Sequence, residues 1–520
     1  MIIGDIIARN HWRYPDKTAI VFGNRKSTFK ELIERVCKLS NALLELGLKK
    51  GDCVSFLLPY NMIQGQEIVF AVTTIGMVVV PINARFLSGE IKYLIKKCNV
   101  KALIFEEKYL GLIKTIRPEL ENVKHFICIG NSDLKGDDIL DYEKLVFENS
   151  SNVPNIIVKR EDIAALIHTS GTTGKPKEAI WTHESWMAGS KDVVTKFNIT
   201  DKDKLLMIAP YFHIPFFWFN MAVFYVGGSV VLIKEPLPGN ILRTIQSEKV
   251  TILSHFVQTT LSRFLNFGDL ENYDLTSVRY YVYGGSAIQL LKRAISVLGN
   301  KLLQIYGFTE QSGVVAALMP EDHILDGTEK DKHRLLSCGK EMPGNDIRIV
   351  DKEGKFGEIG KEGELVVRGD NIMKGYWKEP YETKKVLKDG WFYTGDLGMI
   401  DEDRYIYIIG REKDMIKSGG ENITPKEVED IIYEHQSVEK VAVIGIPDNV
   451  WGEAVKAVIV LKEGKEVAEE EIIGFCKQRL AHYKVPKSVS FVDSLPTTET
   501  GKIRKYEIKK TYQRNSSTII

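Results

Sequence analysis

Residues 168–178 read HTSGTTGKPKE, with two glycines and three threonines ahead of two lysines that flank a proline. Small hydroxyl side chains and glycines before a lysine suit a phosphate cradle, because hydroxyls donate and glycine lets backbone N–H groups come close. The most familiar phosphate loop has a glycine four residues before its Gly-Lys pair and a Ser or Thr after it. Here only two residues separate Gly171 from Gly174, and Lys175 is followed by Pro176. Proline lacks a backbone donor and blocks the start of a helix at that point. The stretch therefore points to phosphate binding of a kind unlike that of kinases or GTPases. Taken alone, it also reads as a solvated turn. A second group of interest is the basic run Lys502, Arg504, Lys505, Lys509 and Lys510 near the end of the chain, which by charge pattern alone is a solvated face.

Such residues need a scaffold, and the surrounding patterns describe one. STFKELIERVCKLSNALLELGLKKGD has a helical apolar period, a start signal at Ser27-Thr28 and a stop at Gly47. CVSFLLP predicts a buried strand, GQEIVFAVTTIGMVVVPIN a helix then a strand, and VKALIFEE and VKHFICIG two more buried parallel strands. This alternation predicts a doubly wound α/β core. After about residue 335 the texture changes. DIRIVDKEGKFGEIGKEGELVVRG and GWFYTGDLGMIDEDRYIYIIGR read as hairpins, and beyond Arg411 mixed helices and strands return. The main boundary is expected at Gly410-Arg411, giving a large domain over 1–410 and a small one over 411–520.

The 520 residues exceed one core, and a net charge of +1 gives no pull toward nucleic acid or an anionic membrane. Six cysteines (37, 53, 98, 128, 338 and 476) are scattered without metal-ligand spacing, as expected of a reduced, cytoplasmic protein with buried thiols. The N-terminal residues do not form a signal peptide pattern. From Leu205 to Ile233 no Asp, Glu, Lys or Arg occurs, a length that could span a bilayer. Pro210, Pro215, His213, Asn220 and the Gly227-Gly228 pair break it. A loop, a short buried helix and a buried strand SVVLI are expected there instead, with no membrane span; peripheral association stays open.

VYGGSA (282–287), QIYGFTE (304–310), YTGDLG (393–398), GREKDMIKSGGENITPKEVE (410–429) and PTTETGKIRK (496–505) follow the glycine-rich stretch in that order. Together they resemble the acyl-adenylate-forming superfamily of acyl-CoA synthetases, peptide-synthetase adenylation domains and firefly luciferase, with fatty-acid and medium-chain acyl-CoA ligases nearest. The resemblance implies an α/β fold. Its large N-terminal domain has doubly wound sheets and a small β-barrel-like part, and its small mobile C-terminal domain is α+β. It also implies a two-step reaction: a carboxylate attacks the α-phosphate of ATP, giving acyl-AMP and pyrophosphate, and the thiol of CoA then displaces AMP. ATP, Mg²⁺ and CoA are the implied cofactors, and a homodimer is compatible with it.

Residue by residue, the resemblance puts Thr169, Ser170, Gly171, Thr172, Thr173, Gly174 and Lys175 around departing pyrophosphate, with Lys177 as a second candidate cation. Gly284, Gly285 and Ser286 would form a strip beside adenine and the acyl group. Tyr306, followed by Gly307, would stack on adenine, Thr309 would reach the α-phosphate, and Glu310 would be linked to Mg²⁺, a cation that prefers oxygen ligands. Asp396 would accept the ribose hydroxyls with Arg411 nearby. Lys413 would match the hinge position, Gly419 and Gly420 would face the pantetheine arm, and His213 would match an aromatic position between the acyl and pantetheine channels. Lys502 would stabilise the charge that grows on phosphorus during adenylation. Glu178 stands where the family usually has glycine, and it is expected to face solvent.

YFHIPFFWFN (211–220) holds no carboxylate to pair with a substrate ammonium, so an apolar acid is expected, a fatty acid first. Phe212, Phe216, Phe217, Trp218, Tyr225 and Phe256 could line its pocket or fill the core. Aryl, cinnamate or carnitine-type acids, or a carrier-protein thiol as acceptor, remain alternatives. A non-catalytic binding relative is disfavoured by the presence of Lys502, Asp396, Arg411 and Glu310.

Overall fold

The computed structural model describes residues 1–130, 138–169, 176–285, 288–351, 353–411, 414–418, 421–448, 451–497 and 503–516. Its first sheet has seven strands in the order Ile139–Asp141, His125–Ile129, Val100–Glu106, Cys53–Leu57, Val78–Pro81, Ile163–His168 and Glu178–Thr182. All neighbours are parallel except the last pair. Five parallel strands form the middle of a nine-stranded second sheet: Ser229–Leu232, Lys204–Met207, Ile252–Phe256, Tyr280–Tyr283 and Leu302–Tyr306. Strands covered on both faces read as continuous apolar runs, which is why CVSFL and SVVL are buried along their whole lengths.

The helix predicted after Ser27-Thr28 is present over Phe29–Glu45. Thr28 and Glu31 form a reciprocal cap at its start, and Gly47 takes φ +80° just past its end. The helix–strand reading of GQEIVFAVTTIGMVVVPIN is realised as Ile63–Thr74 and Val78–Pro81. The uncharged stretch at 205–233 differs from expectation in its first part. Its Leu205–Met207 is strand rather than loop, because these apolar residues fill a central position of the second sheet. Helix Ile214–Val226 follows, with Pro215 in its first turn, and then strand Ser229–Leu232. That helix is apolar on every side because it lies within the largest hydrophobic core. Its one amide, Asn220, exchanges hydrogen bonds of 2.8 and 2.9 Å with Gln66 of helix Ile63–Thr74, which fixes the rotation of the two helices. No helix among the described residues is long and apolar enough to cross a membrane.

The two hairpins predicted beyond residue 335 belong to one antiparallel sheet: Asn345–Val350 with Glu362–Gly369, and Trp391–Ile400 with Ile406–Arg411. A fourth sheet, built on Val438–Asp448 and Gly452–Leu461, packs with helices Pro425–Tyr433 and Glu469–Lys477 around a separate core. All six cysteines are buried and free. The chemistry-bearing motifs collect beyond the carboxyl ends of the parallel strands, the usual position of ligand crevices in open α/β sheets. HTSGTTGKPKE begins at the end of Ile163–His168, VYGGSA at the end of Tyr280–Tyr283 and QIYGFTE at the end of Leu302–Tyr306.

Candidate active site

Asp396 lies in strand Trp391–Ile400 and Arg411 directly across from it in Ile406–Arg411. The Arg411 Nε sits 2.8 Å from one Asp396 oxygen, and the Tyr306 hydroxyl donates to the other at 2.6 Å. Asp396 is 4% exposed, while the Arg411 side chain is 42% exposed. Burial works against the Arg411 charge, yet Asp396, Tyr306 and Glu310 outweigh it and raise its pKa above the usual value. Asp396 is thus in contact with two other residues that the sequence places in ATP binding, and the Arg411 side chain is partly exposed.

Glu310 is held from an unforeseen direction. The Tyr376 hydroxyl donates to its Oε1 at 2.6 Å, and the Met373 N–H donates to its carbonyl at 2.8 Å. Burial first, then the Glu310 charge, pushes the Tyr376 phenol far up, so it remains a donor. The carbonyl of Thr309 accepts from the Trp181 indole at 2.9 Å. Glu310 gives one carboxylate with a fixed oxygen. Among the described residues no cluster of three or more His, Cys, Asp or Glu side chains could cage a metal. That donor set fits Mg²⁺ arriving with phosphates and water as its other ligands.

Gly307 could not carry a side chain: an added Cβ would lie 2.6 Å from the Trp218 ring. The His255 ring faces Gly284 in the same way at 3.3 Å, whereas Gly285 faces open space. His213 precedes helix Ile214–Val226, half-buried, with its ring 4.8 Å from that of Phe212. Phe212, Phe216, Phe217, Trp218 and Phe256 are buried, and Tyr225 is half-buried. The Phe216 and Phe217 rings pack on each other and on Tyr211, Trp181 and Trp186, so these two are core.

The glycine-rich stretch joins antiparallel strands rather than a strand and a helix. His168 is opposite Glu178, and the Thr169 N–H donates to the Lys177 carbonyl at 2.7 Å. Two expectations need correction here. Glu178 does not face solvent. It is fully buried, 2.6 Å from the Lys97 ammonium, in a place where the helix Ser88–Cys98 ends and supplies a cation. Lys177 is not free for pyrophosphate, because its ammonium pairs with Glu382 at 2.5 Å and lies over the Tyr376 ring. The basic run near the C-terminus is also no plain solvated face. Lys505 pairs with Glu429 at 2.7 Å, Lys509 with Glu453 at 2.6 Å and Arg504 with Glu507 at 2.9 Å.

Ser170, Gly171, Thr172, Thr173, Gly174, Lys175, Ser286, Lys413, Gly419, Gly420 and Lys502 lie outside the described residues. Thr497 and Ile503, either side of the TGK segment, form an antiparallel bridge. Tyr376, Lys97, Glu379 and Trp181 were missed by sequence reasoning. Their partners are 66 to 282 residues away and leave no local pattern.

Comparison with known proteins gives the family. Residues 7–377 match the AMP-binding enzyme pattern, and 427–502 match the AMP-binding enzyme C-terminal domain. The chain belongs to the AMP-binding enzyme family. Among relatives, it is 34% identical to a feruloyl-CoA synthase of an Amycolatopsis species, covering 96% of each chain. It is 32% identical to the long-chain-fatty-acid–CoA ligase of Bacillus subtilis, over 94% of this chain and 91% of that one. The ATP-bound crystal structure of MatB from Rhodopseudomonas palustris superposes with a TM-score of 0.87 at 28% identity, covering 99% of each chain. The resemblance drawn from the motifs and the fold class of AMP-binding enzymes both hold for this chain.

Proposed function

We propose that this chain activates an apolar carboxylic acid, a fatty acid first, as acyl-AMP and transfers the acyl group to the thiol of CoA. Family membership makes it an AMP-forming acid–thiol ligase that uses ATP; the acid is the open question. The observation that carries the apolar reading is the wall formed by Trp218 against Gly307, on a buried helix with no charged residue. The polar side chain of that helix, Asn220, is engaged by Gln66, so no partner awaits a substrate ammonium there.

In this reading Asp396 exchanges the Tyr306 hydroxyl for the ribose, while Arg411 stays paired with its other oxygen. Glu310, aligned by Tyr376, is the protein oxygen for Mg²⁺, which supplies charge neutralisation on the phosphates when bound. Lys502, carried by a small domain over 411–520, completes adenylation by stabilising charge that develops in the transition state. Lys413, Gly419 and Gly420 serve the hinge and the pantetheine arm. The flat rings of Trp218 and His255 beside two glycines also suit an aryl acid, which is the second reading.

The test is a panel of fatty, aryl, cinnamate-type and amino acids, scored for pyrophosphate release with and without CoA. Release with apolar acids and formation of their CoA esters is expected. Preference for amino acids would overturn the apolar reading. CoA-independent adenylation with no CoA ester formed would move the acceptor to a carrier-protein thiol.

A further inference from the structure

The carboxylate that breaks the glycine-rich motif has a partner outside it. Glu178 opens the strand Glu178–Thr182, and Lys97 occupies the last turn of helix Ser88–Cys98. The Lys97 ammonium lies 2.6 Å from Glu178, contacts Glu379 as well, and donates to the Pro176 carbonyl at 3.1 Å. Three distant pieces of chain therefore meet at one nitrogen, whose side chain is 12% exposed. Backbone bonds close the same place. The Trp377 N–H donates to the Glu178 carbonyl at 2.8 Å, and Ile180 N–H donates to that of Gly375 at 2.9 Å.

Burial raises the Glu178 pKa, against the pull of Lys97. For Lys97 burial works to lower the pKa, and the two carboxylates together outweigh it. A pair this deep adds little net stability, because desolvation offsets the attraction, yet removal of one partner leaves an uncompensated buried charge. Its value is geometric. The Glu178 carboxylate turns to Lys97, while the Lys177 ammonium turns to Glu382. The carboxylate that would repel a polyphosphate is thereby engaged elsewhere.

We infer that Lys97 is a positioning residue for the adenylation step: by holding Glu178, Glu379 and the Pro176 carbonyl, it sets where the glycine-rich stretch rejoins the sheet. It acts through the chain and touches no substrate. The inference rests on the reading of residues 168–178 as the pyrophosphate side of ATP.

The test uses the full chain and measures two half-reactions separately, carboxylate-dependent ATP–pyrophosphate exchange and CoA thiolysis of supplied acyl-AMP. Lys97→Met is expected to cut exchange by about a hundredfold, the scale on which an ångström of misplacement acts, and to leave thiolysis unchanged. Lys97→Met combined with Glu178→Gly removes the carboxylate left unpaired and is expected to recover part of the exchange, the remainder being the lost hold on Glu379 and the Pro176 carbonyl. Unaltered exchange in Lys97→Met, equal loss of both half-reactions, or no recovery in the double variant would each overturn the inference. Exchange by the wild-type chain alongside any of these leaves the functional reading standing. Absence of wild-type exchange with every acid overturns that reading and this inference together.

Discussion

Asp396 and Glu178 are both buried carboxylates set against a cation, and the two clusters differ in what the cation is free to do. Arg411 is 42% exposed and shares Asp396 with a tyrosine hydroxyl, so a ligand can approach and exchange partners there. Lys97 is 12% exposed, and its ammonium is engaged by Glu178, Glu379, the Pro176 carbonyl and the Tyr93 ring. The open cluster is suited to binding and the closed one to holding a turn in place. Burial of the carboxylate looks alike in the two; the exposure of the cation separates them.

The largest effect is expected from a third cation, Lys502. Lys502→Ala should lower carboxylate-dependent ATP–pyrophosphate exchange by about 10²–10³-fold and keep most thiolysis of supplied acyl-AMP, because only adenylation builds charge on phosphorus. Equal loss in both assays would remove its assigned role. Next comes the open cluster itself. Asp396→Ala should raise the KM for ATP by about ten- to hundredfold, the worth of one or two charge-assisted hydrogen bonds, with the KM for CoA unchanged.

Tyr376→Phe tests whether Glu310 is aligned by its hydroxyl contact. About tenfold more Mg²⁺ should then be needed for half-maximal exchange, without a change in KM for the acid. An unchanged Mg²⁺ titration would make the contact incidental. Trp218→Ala should shift the ratio of kcat/KM between longer and shorter acids by about tenfold in favour of the longer. Unaltered selectivity would move the wall elsewhere.

The smallest effect concerns Asp192, which supports the QIYGFTE segment at a distance. Its carboxylate accepts from Asn371 at 3.1 Å, and the Asn371 carbonyl accepts from the Ser312 N–H and hydroxyl at 2.8 and 2.9 Å. Burial, with Asp370 adding, raises the Asp192 pKa from 3.8 to about 6. The folded chain thus holds this proton more tightly than the unfolded chain. Stability from the protonated form is full below pH 3.8 and is lost as pH rises to about 6. Asp192→Asn should therefore gain about 1–2 °C in Tm relative to wild type at pH 7, and less at pH 4.

Much of the fold was legible because its signals are local. The period of residues 29–45, their Thr28 cap and the runs CVSFL and VKALIFE each carry their own answer. Asp396, Arg411, Tyr306 and Glu310 were singled out through motifs, and the structure brings the first three together. Lys97 and Tyr376 were not, since each acts on a residue far along the chain and has no signature of its own. Glu178 was noticed as an oddity and misplaced, because a charged residue after a turn is ordinarily solvated and its buried partner lay 81 residues earlier in the sequence.

The central claim, activation of an apolar acid through acyl-AMP, is tested most directly by exchange of labelled pyrophosphate into ATP without CoA. The account predicts exchange that depends on an apolar carboxylic acid and on Mg²⁺. No exchange with any acid of the panel, or exchange that proceeds equally well without an acid, would contradict it.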